Sequence, residues 1–179
     1  MNILALDLAT KTGWALREHD RIESGVETFE PKRHESRGMR FVAFNRWLER
    51  MATMGDPNAD RRSGETCVSR RVPRVEIIVY EQAHHRGGAA TEIAAGFVTR
   101  VHELCARHGI EYAAVHSATL KKFTTGKGNG DKDAMRRALL ERGWWAAADK
   151  ARAPIDDNEV DAVALLHYAL AEIVPAGRS

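Results

Sequence analysis

The chain opens on a short run that alternates cleanly. Ile3, Ala5 and Asp7 share one face of an extended segment and Leu4, Leu6 and Leu8 share the other. Residues 2–8 therefore predict a strand covered on both faces that ends at a carboxylate. Gly13–Arg17 and Arg21–Thr28 read as two more strands, with a polar turn at Glu18–Asp20, so the first 28 residues predict a three-stranded meander. Residues 36–53 change period: Met39, Val42, Ala43, Arg46, Trp47 and Met51 fall near helical spacing. Gly55, Asp56, Pro57, Asn58, Gly64 and Pro73 mark residues 54–74 as a long polar loop.

The second half alternates helix and strand. Residues 75–81 predict a strand with Val75, Ile77, Val79 and Glu81 on one face, and residues 89–108 a helix. Glu111–Val115 reads as a short strand, and Ser117 as the N-cap of a helix through Phe123. A Gly-rich loop follows from Thr124 to Gly130, after which Asp131 caps a helix to about Glu141. Pro154 breaks the chain, and Asp156 or Asp157 caps a last helix through Ile173. The order β-β-β-α-β-α-β-α-α-α predicts an α/β fold: three antiparallel strands, then parallel ones, with helices on the sheet's faces.

With 179 residues and 44% hydrophobic content, one domain spanning residues 1–179 is expected, with residues 54–74 as a loop insertion. A formal charge of +2 does not announce a nucleic-acid partner, but its distribution changes the picture. Arg61, Arg62, Arg70, Arg71 and Arg74 cluster before the second acidic strand, and Lys121, Lys122, Lys127 and Lys132 surround the Gly-rich loop. Such local patches bind phosphate without extreme net charge. Cys67 and Cys105 lie far apart with no CxxC spacing, which points to free thiols in a reducing compartment rather than to a disulfide or zinc. No window reaches the ~18 apolar residues of a membrane span, and Met1 leads straight into a strand. A cytoplasmic protein without a membrane partner is expected.

Three acidic positions carry the chemistry. Asp7 ends the first apolar run, Glu81 ends the run from Val75 to Tyr80, and Asp156-Asp157-Asn158-Glu159-Val160-Asp161 opens the last apolar segment. Carboxylates at two strand ends and one helix start can converge on hard divalent cations, which prefer oxygen ligands. Hydrolysis of a phosphodiester needs an attacking water, a stabilised pentacovalent phosphorus and a neutralised leaving oxygen, and two cations roughly 3.5–4 Å apart supply all three. On the last helix, Asp157 and Asp161 are four apart and Asn158 and Asp161 three apart, so either pair can share a face. Asp161 is followed by Ala162-Val163-Ala164-Leu165-Leu166, and a carboxylate in such apolar surroundings needs a partner or a metal.

These residues resemble the RuvC-type Holliday-junction resolvases of the ribonuclease H-like superfamily. The resemblance rests on Leu4-Ala5-Leu6-Asp7-Leu8-Ala9 with Thr12-Gly13-Trp14-Ala15, on Tyr80-Glu81-Gln82 with Ala94-Ala95-Gly96, on Leu120-Lys121-Lys122-Phe123-Thr124 with Gly126-Lys127-Gly128 and Asp131-Lys132, and on Asp157-Asn158-Glu159-Val160-Asp161-Ala162-Val163-Ala164. It implies a ribonuclease H-like mixed five-stranded sheet. It implies a homodimeric endodeoxyribonuclease that uses Mg²⁺, with Mn²⁺ substituting, and resolves four-way DNA junctions by paired symmetric nicks, with no nucleotide cofactor. Asp7, Glu81 and Asp161 match the family's metal ligands. The fourth family position falls on Asn158, a departure that either Asp157 or the Asn158 carbonyl can fill. The catalytic set implied is Asp7, Glu81, Asp157 and Asp161.

A second departure is His84-His85 where the family often has an aromatic wedge; these histidines, with Arg86, are candidates for DNA contact. Lys121, Lys122, Lys127 and Lys132 are the candidates for phosphate contact. Ala94, Ala95 and Gly96 would let the 89–108 helix approach a second copy closely. Two rivals stand beside the nuclease. One is a catalytically inactive branched-DNA-binding protein, supported by Asn158. The other is an actin-like ATPase or sugar kinase, because Asp7 to Gly13 resembles that fold's first phosphate loop.

Overall fold

The computed structural model describes residues 1–54, 72–82, 88–145 and 155–174. Five strands form one sheet. β1 (Ile3–Asp7), β2 (Lys11–Glu18) and β3 (Arg21–Thr28) are antiparallel neighbours. Two-residue strands β4 (Thr53–Met54) and β5 (Val72–Pro73) pair with each other apart from it. β6 (Ile77–Gln82) pairs parallel with β1, and β7 (Glu111–His116) parallel with β6. The order across the main sheet is β3-β2-β1-β6-β7, the mixed α/β arrangement expected from the alternation of elements. The β4–β5 ladder closes the base of the polar insertion, so residues 54 and 72 leave and rejoin the fold side by side. Residues 55–71, and with them Cys67 and four of the five clustered arginines, lie outside the described residues.

The period-two pattern of β1 sorts the helices. Leu4, Leu6, Leu8, Leu16, Ile78 and Tyr80 meet α1 (Met39–Ala52) and α2 (Ala89–His108) on one face. Phe29, Phe44, Trp47 and Phe97 interlock there, with Phe44 and Phe97 centroids 4.5 Å apart. Ile3, Ala5, Ile77, Val79 and Val115 meet α3 (Ser117–Thr125), α4 (Lys132–Glu141) and α5 (Asp157–Tyr168) on the other. α5 is buried without interruption from Glu159 to Leu166, as a helix that is apolar nearly all round must be. Among the described residues no helix is long and apolar enough to cross a membrane.

Several boundaries differ from expectation. α1 starts at Met39, because residues 32–38 form turns instead: the Glu35 amide donates to Lys32 O (2.9 Å) and the Met39 amide to Ser36 O (2.9 Å). Val75 precedes β6 and joins the α1/α2 side of the core, not the Glu81 face, since its amide is drawn to Ala52 O (3.3 Å). The last helix is α-helical only to Tyr168 and finishes as one wide π turn, Ala169–Ile173. Asp131 and Asp156 cap α4 and α5 as expected, accepting from the Ala134 and Asn158 amides.

Candidate active site

The parallel register of β1 and β6 places the two strand-end carboxylates side by side. Leu6 lies opposite Tyr80, and one step further the strands deliver Asp7 and Glu81, both on the α5 face. α5 comes to them because of Gly13. Gly13 pairs with Asp7 across β1 and β2, and a Cβ there would sit 1.9 Å from the Asn158 carbonyl oxygen. Only a glycine lets the first turn of α5 lie against β2 at this point. Asp161, one turn further along, then faces the two strand ends.

The electrostatics show how closely these groups share space. Burial, then Glu81 and then Asp161, push the Asp7 carboxyl from 3.8 up to about 7, against the pull of Lys132. Burial and the neighbouring Asp161 also raise Glu81, opposed by a hydrogen bond from Ser117 and by Lys132 and Lys121. Asp161 is raised by burial, although Lys132 hydrogen-bonds to it and Lys121 lies near. Lys132 is the one lysine among the described residues set directly in the cluster: its ammonium binds Asp161 Oδ2. Burial would lower the Lys132 pKa, but Asp161, Asp7 and Glu81 together raise it.

Not every candidate joins this group. Asp157 is bound to the Arg136 guanidinium, and its side chain is 48% exposed. The Asn158 side chain makes no hydrogen bond among the described residues; its backbone takes the Asp156 cap and the Gly13 contact. Asp156 pairs with Lys11. Lys122 and Lys127 are exposed, outside the carboxylate cluster. His84, His85 and Arg86 lie outside the described residues.

Ser117 is a correction. It is not the N-cap of α3; that position belongs to His116, without a side-chain cap. Ser117 is buried and its hydroxyl is spent on Glu81. Sequence reading missed this role, as it missed Arg136 on Asp157, because both pairings join residues far apart in the chain. Gly96 is a second surprise. A Cβ there would meet the Phe41 ring at 2.3 Å, so its missing side chain already makes room for Phe41 of its own chain.

The donor chemistry suits a hard cation: three carboxylates drawn out of water, with Asp161 disfavouring the charge of both Asp7 and Glu81, and one lysine in direct contact among the described residues. The spacing, as it stands, is looser. Among the described residues no three His, Cys, Asp or Glu side chains converge tightly enough to chelate an ion, and Lys132 closes on Asp161. Acids with raised pKa at the carboxyl ends of parallel strands make this cluster a candidate site.

No family model matches the chain, and no curated protein matches it. Solved structures do. The chain is similar to a Thermus thermophilus RuvC structure with a TM-score of 0.62 and 15% identity, covering 95% of this chain and 96% of that one. It is also similar to T. thermophilus RuvC in complex with a Holliday junction substrate, with a TM-score of 0.63 and 14% identity over 92% and 90% of the two chains. The likeness shows the fold: the mixed five-stranded sheet with helices on its faces is similar to that of RuvC.

Proposed function

We propose that the chain is a metal-dependent endodeoxyribonuclease that resolves four-way DNA junctions by paired symmetric nicks. The observation that carries this reading is the approach of Asp7, Glu81 and Asp161 to one another from β1, β6 and α5, each with its pKa raised first by loss of water and, for Asp7 and Glu81, by the neighbouring acids. The choice of substrate is supported by the fold shared with a protein solved on a Holliday junction substrate. Asp7, Glu81 and Asp161 would hold Mg²⁺ or Mn²⁺. The fourth position belongs to Asn158 or Asp157, and Asn158 is the freer donor because Arg136 occupies Asp157. A bound ion would supply an activated water and neutralise charge on the phosphate.

The chain's own groups do the rest. Ser117 orients the Glu81 carboxylate by donating to it. Lys132 balances the charge of Asp161 and, with Lys121, stands where negative charge would grow on a bound phosphodiester. Lys122 and Lys127, exposed on α3 and the following loop, are placed to meet phosphates further along an arm. His84, His85 and Arg86 remain candidates for contact near the branch point. Two nicks related by symmetry need two sites, hence a two-fold homodimer.

The test is incubation with labelled four-way junction, flap and linear duplex in Mg²⁺, Mn²⁺ or Ca²⁺. Paired nicks in the junction arms are expected in Mg²⁺ and Mn²⁺. Tight junction binding without cutting in any metal would leave a branched-DNA-binding protein instead, and equal cutting of linear duplex would leave a general nuclease. Asp157→Ala and Asn158→Ala, assayed side by side, identify the fourth ligand by the larger loss.

A further inference from the structure

A second basic feature lies on the opposite flank of Asp7 from the lysines. Between the first turns of α1 and α2 opens a cleft of about 570 Å³, lined by Arg37, Gly38, Arg40, Phe41, Glu92 and Ile93. Its volume is that of a small-molecule site. It touches the carboxylate site through one turn: Arg40 Nη1 donates to Thr10 Oγ1 (3.4 Å), in the turn that joins Asp7 to Lys11. Arg40 Nε is fixed on the Arg37 carbonyl (3.2 Å), so its guanidinium is aimed rather than loose. The Arg37 side chain is exposed, and neither arginine has an ion-pair partner among the described residues.

The floor is apolar and preformed. Phe41 stands edge-on to Phe97 (centroids 5.5 Å, 69°), rests where Gly96 leaves room, and carries Arg100 over its ring at 5.6 Å. One aimed guanidinium, Arg40, with the exposed Arg37 guanidinium at the same rim and an aromatic floor beside them, matches one chemical unit, a phosphate joined to a planar base. Glu92 is the one carboxylate in the lining among the described residues. It repels a phosphate from the α2 side and so confines the anion to Arg37 and Arg40.

We propose that this cleft seats one nucleotide of a DNA strand, its phosphate on Arg37 and Arg40 and its base over Phe41 and Ile93, as that strand passes the turn bearing Asp7. The assignment takes its ligand class from the nuclease reading, but it concerns binding alone. It also divides the DNA surface in two: lysines on the α3/α4 side of the carboxylates, arginines on the α1/α2 side.

The test is fluorescence anisotropy in EDTA, where no cleavage intervenes, with a four-way junction, a twelve-nucleotide dT strand and the same strand carrying abasic spacers. Arg37→Ala/Arg40→Ala should bind the junction at least about 10-fold more weakly than wild type. It should lower the slope of log affinity against log salt by about 0.9 per cleft, the share of the one phosphate left without its arginines. Arg37→Glu, a change at an exposed position, should weaken binding in the same direction with an unchanged melting curve. Wild type should prefer the dT strand to the abasic one, and Phe41→Leu should erase that preference. Wild-type affinity and salt slope in the double variant and in Arg37→Glu would overturn the cleft while leaving the nuclease reading intact. Equal binding of the dT and abasic strands by wild type would overturn the base seat. Failure of the wild-type protein to bind any of the three DNAs would overturn both readings.

Discussion

The two ends of the central strands treat carboxylates in opposite ways. At the amino end of β1 and β6, Glu18 receives Arg74 in a two-pronged pair, Nε to Oε1 at 2.9 Å, and Glu76 accepts from the Asn2 amide. The hydrogen bond from Arg74 holds Glu18 below the usual carboxylate range. At the carboxyl end, Asp7, Glu81 and Asp161 are all raised, and one ammonium, Lys132, serves the cluster by direct contact. The lower end completes its own charge balance at the surface. The upper end does so less fully among the described residues, and drawing three acids out of water together with so little compensation there costs stability. That imbalance is what a cation and a phosphodiester would relieve.

The largest expected effect is on cutting. Asp7→Asn should keep the fold and junction binding yet lose more than the roughly 10–100-fold that follows loss of a group merely supporting a metal ligand. A labelled-junction cleavage assay measures it, and wild-type rates would equate Asp7 with Glu18. Stability comes next. An acid raised in the folded state binds its proton more tightly there than in the unfolded chain. It therefore favours folding below pH 3.8, and this contribution is lost as pH rises to about 7. At about 1.4 kcal/mol per unit, the loss approaches roughly 4 kcal/mol. Without divalent metal, Asp7→Asn should accordingly unfold at higher denaturant than wild type at pH 8, with the gap shrinking toward pH 4. A constant gap would contradict the burial of the charge.

Gly13→Ala should cost about 1–3 kcal/mol or more in urea unfolding, since the new methyl meets the Asn158 carbonyl and must push α5 from β2. It should also lower cutting, because Asp161 travels with α5. The smallest effect belongs to the other end of the sheet. Arg74→Ala should cost less than about 1 kcal/mol, the usual worth of a partly exposed pair. Its effect should fade as acid protonates Glu18, whose lowered pKa contributes stability only above the ordinary carboxylate range. Cutting should not change.

Much of this contrast was legible along the chain, because it rests on local rules. Alternation placed Ile3, Ala5 and Asp7 on one face, an apolar run marked α5 as buried, and Asp131 and Asp156 announced their helices through short-range capping. The pairings that tune the site were not legible. Lys132 reaches Asp161, Ser117 reaches Glu81 and Arg40 reaches Thr10 across 29, 36 and 30 positions, and only the packing of helices on the sheet brings them together. Ser117 misled because a serine before a helical run looks like a cap whether or not a distant carboxylate claims its hydroxyl. Gly96 shows the same limit: a small residue signals close approach without naming every partner, and within the chain that partner is Phe41.

The most direct measurement is calorimetric titration of Mn²⁺ into wild-type and Asp7→Asn protein at pH 8, where Asp7 is ionised. We expect saturable binding to wild type, weakened at least about 10-fold by the substitution, with Arg74→Ala indistinguishable from wild type. Absence of binding to wild type, or equal binding to Asp7→Asn, would show that the three carboxylates at the upper end do not form a metal site.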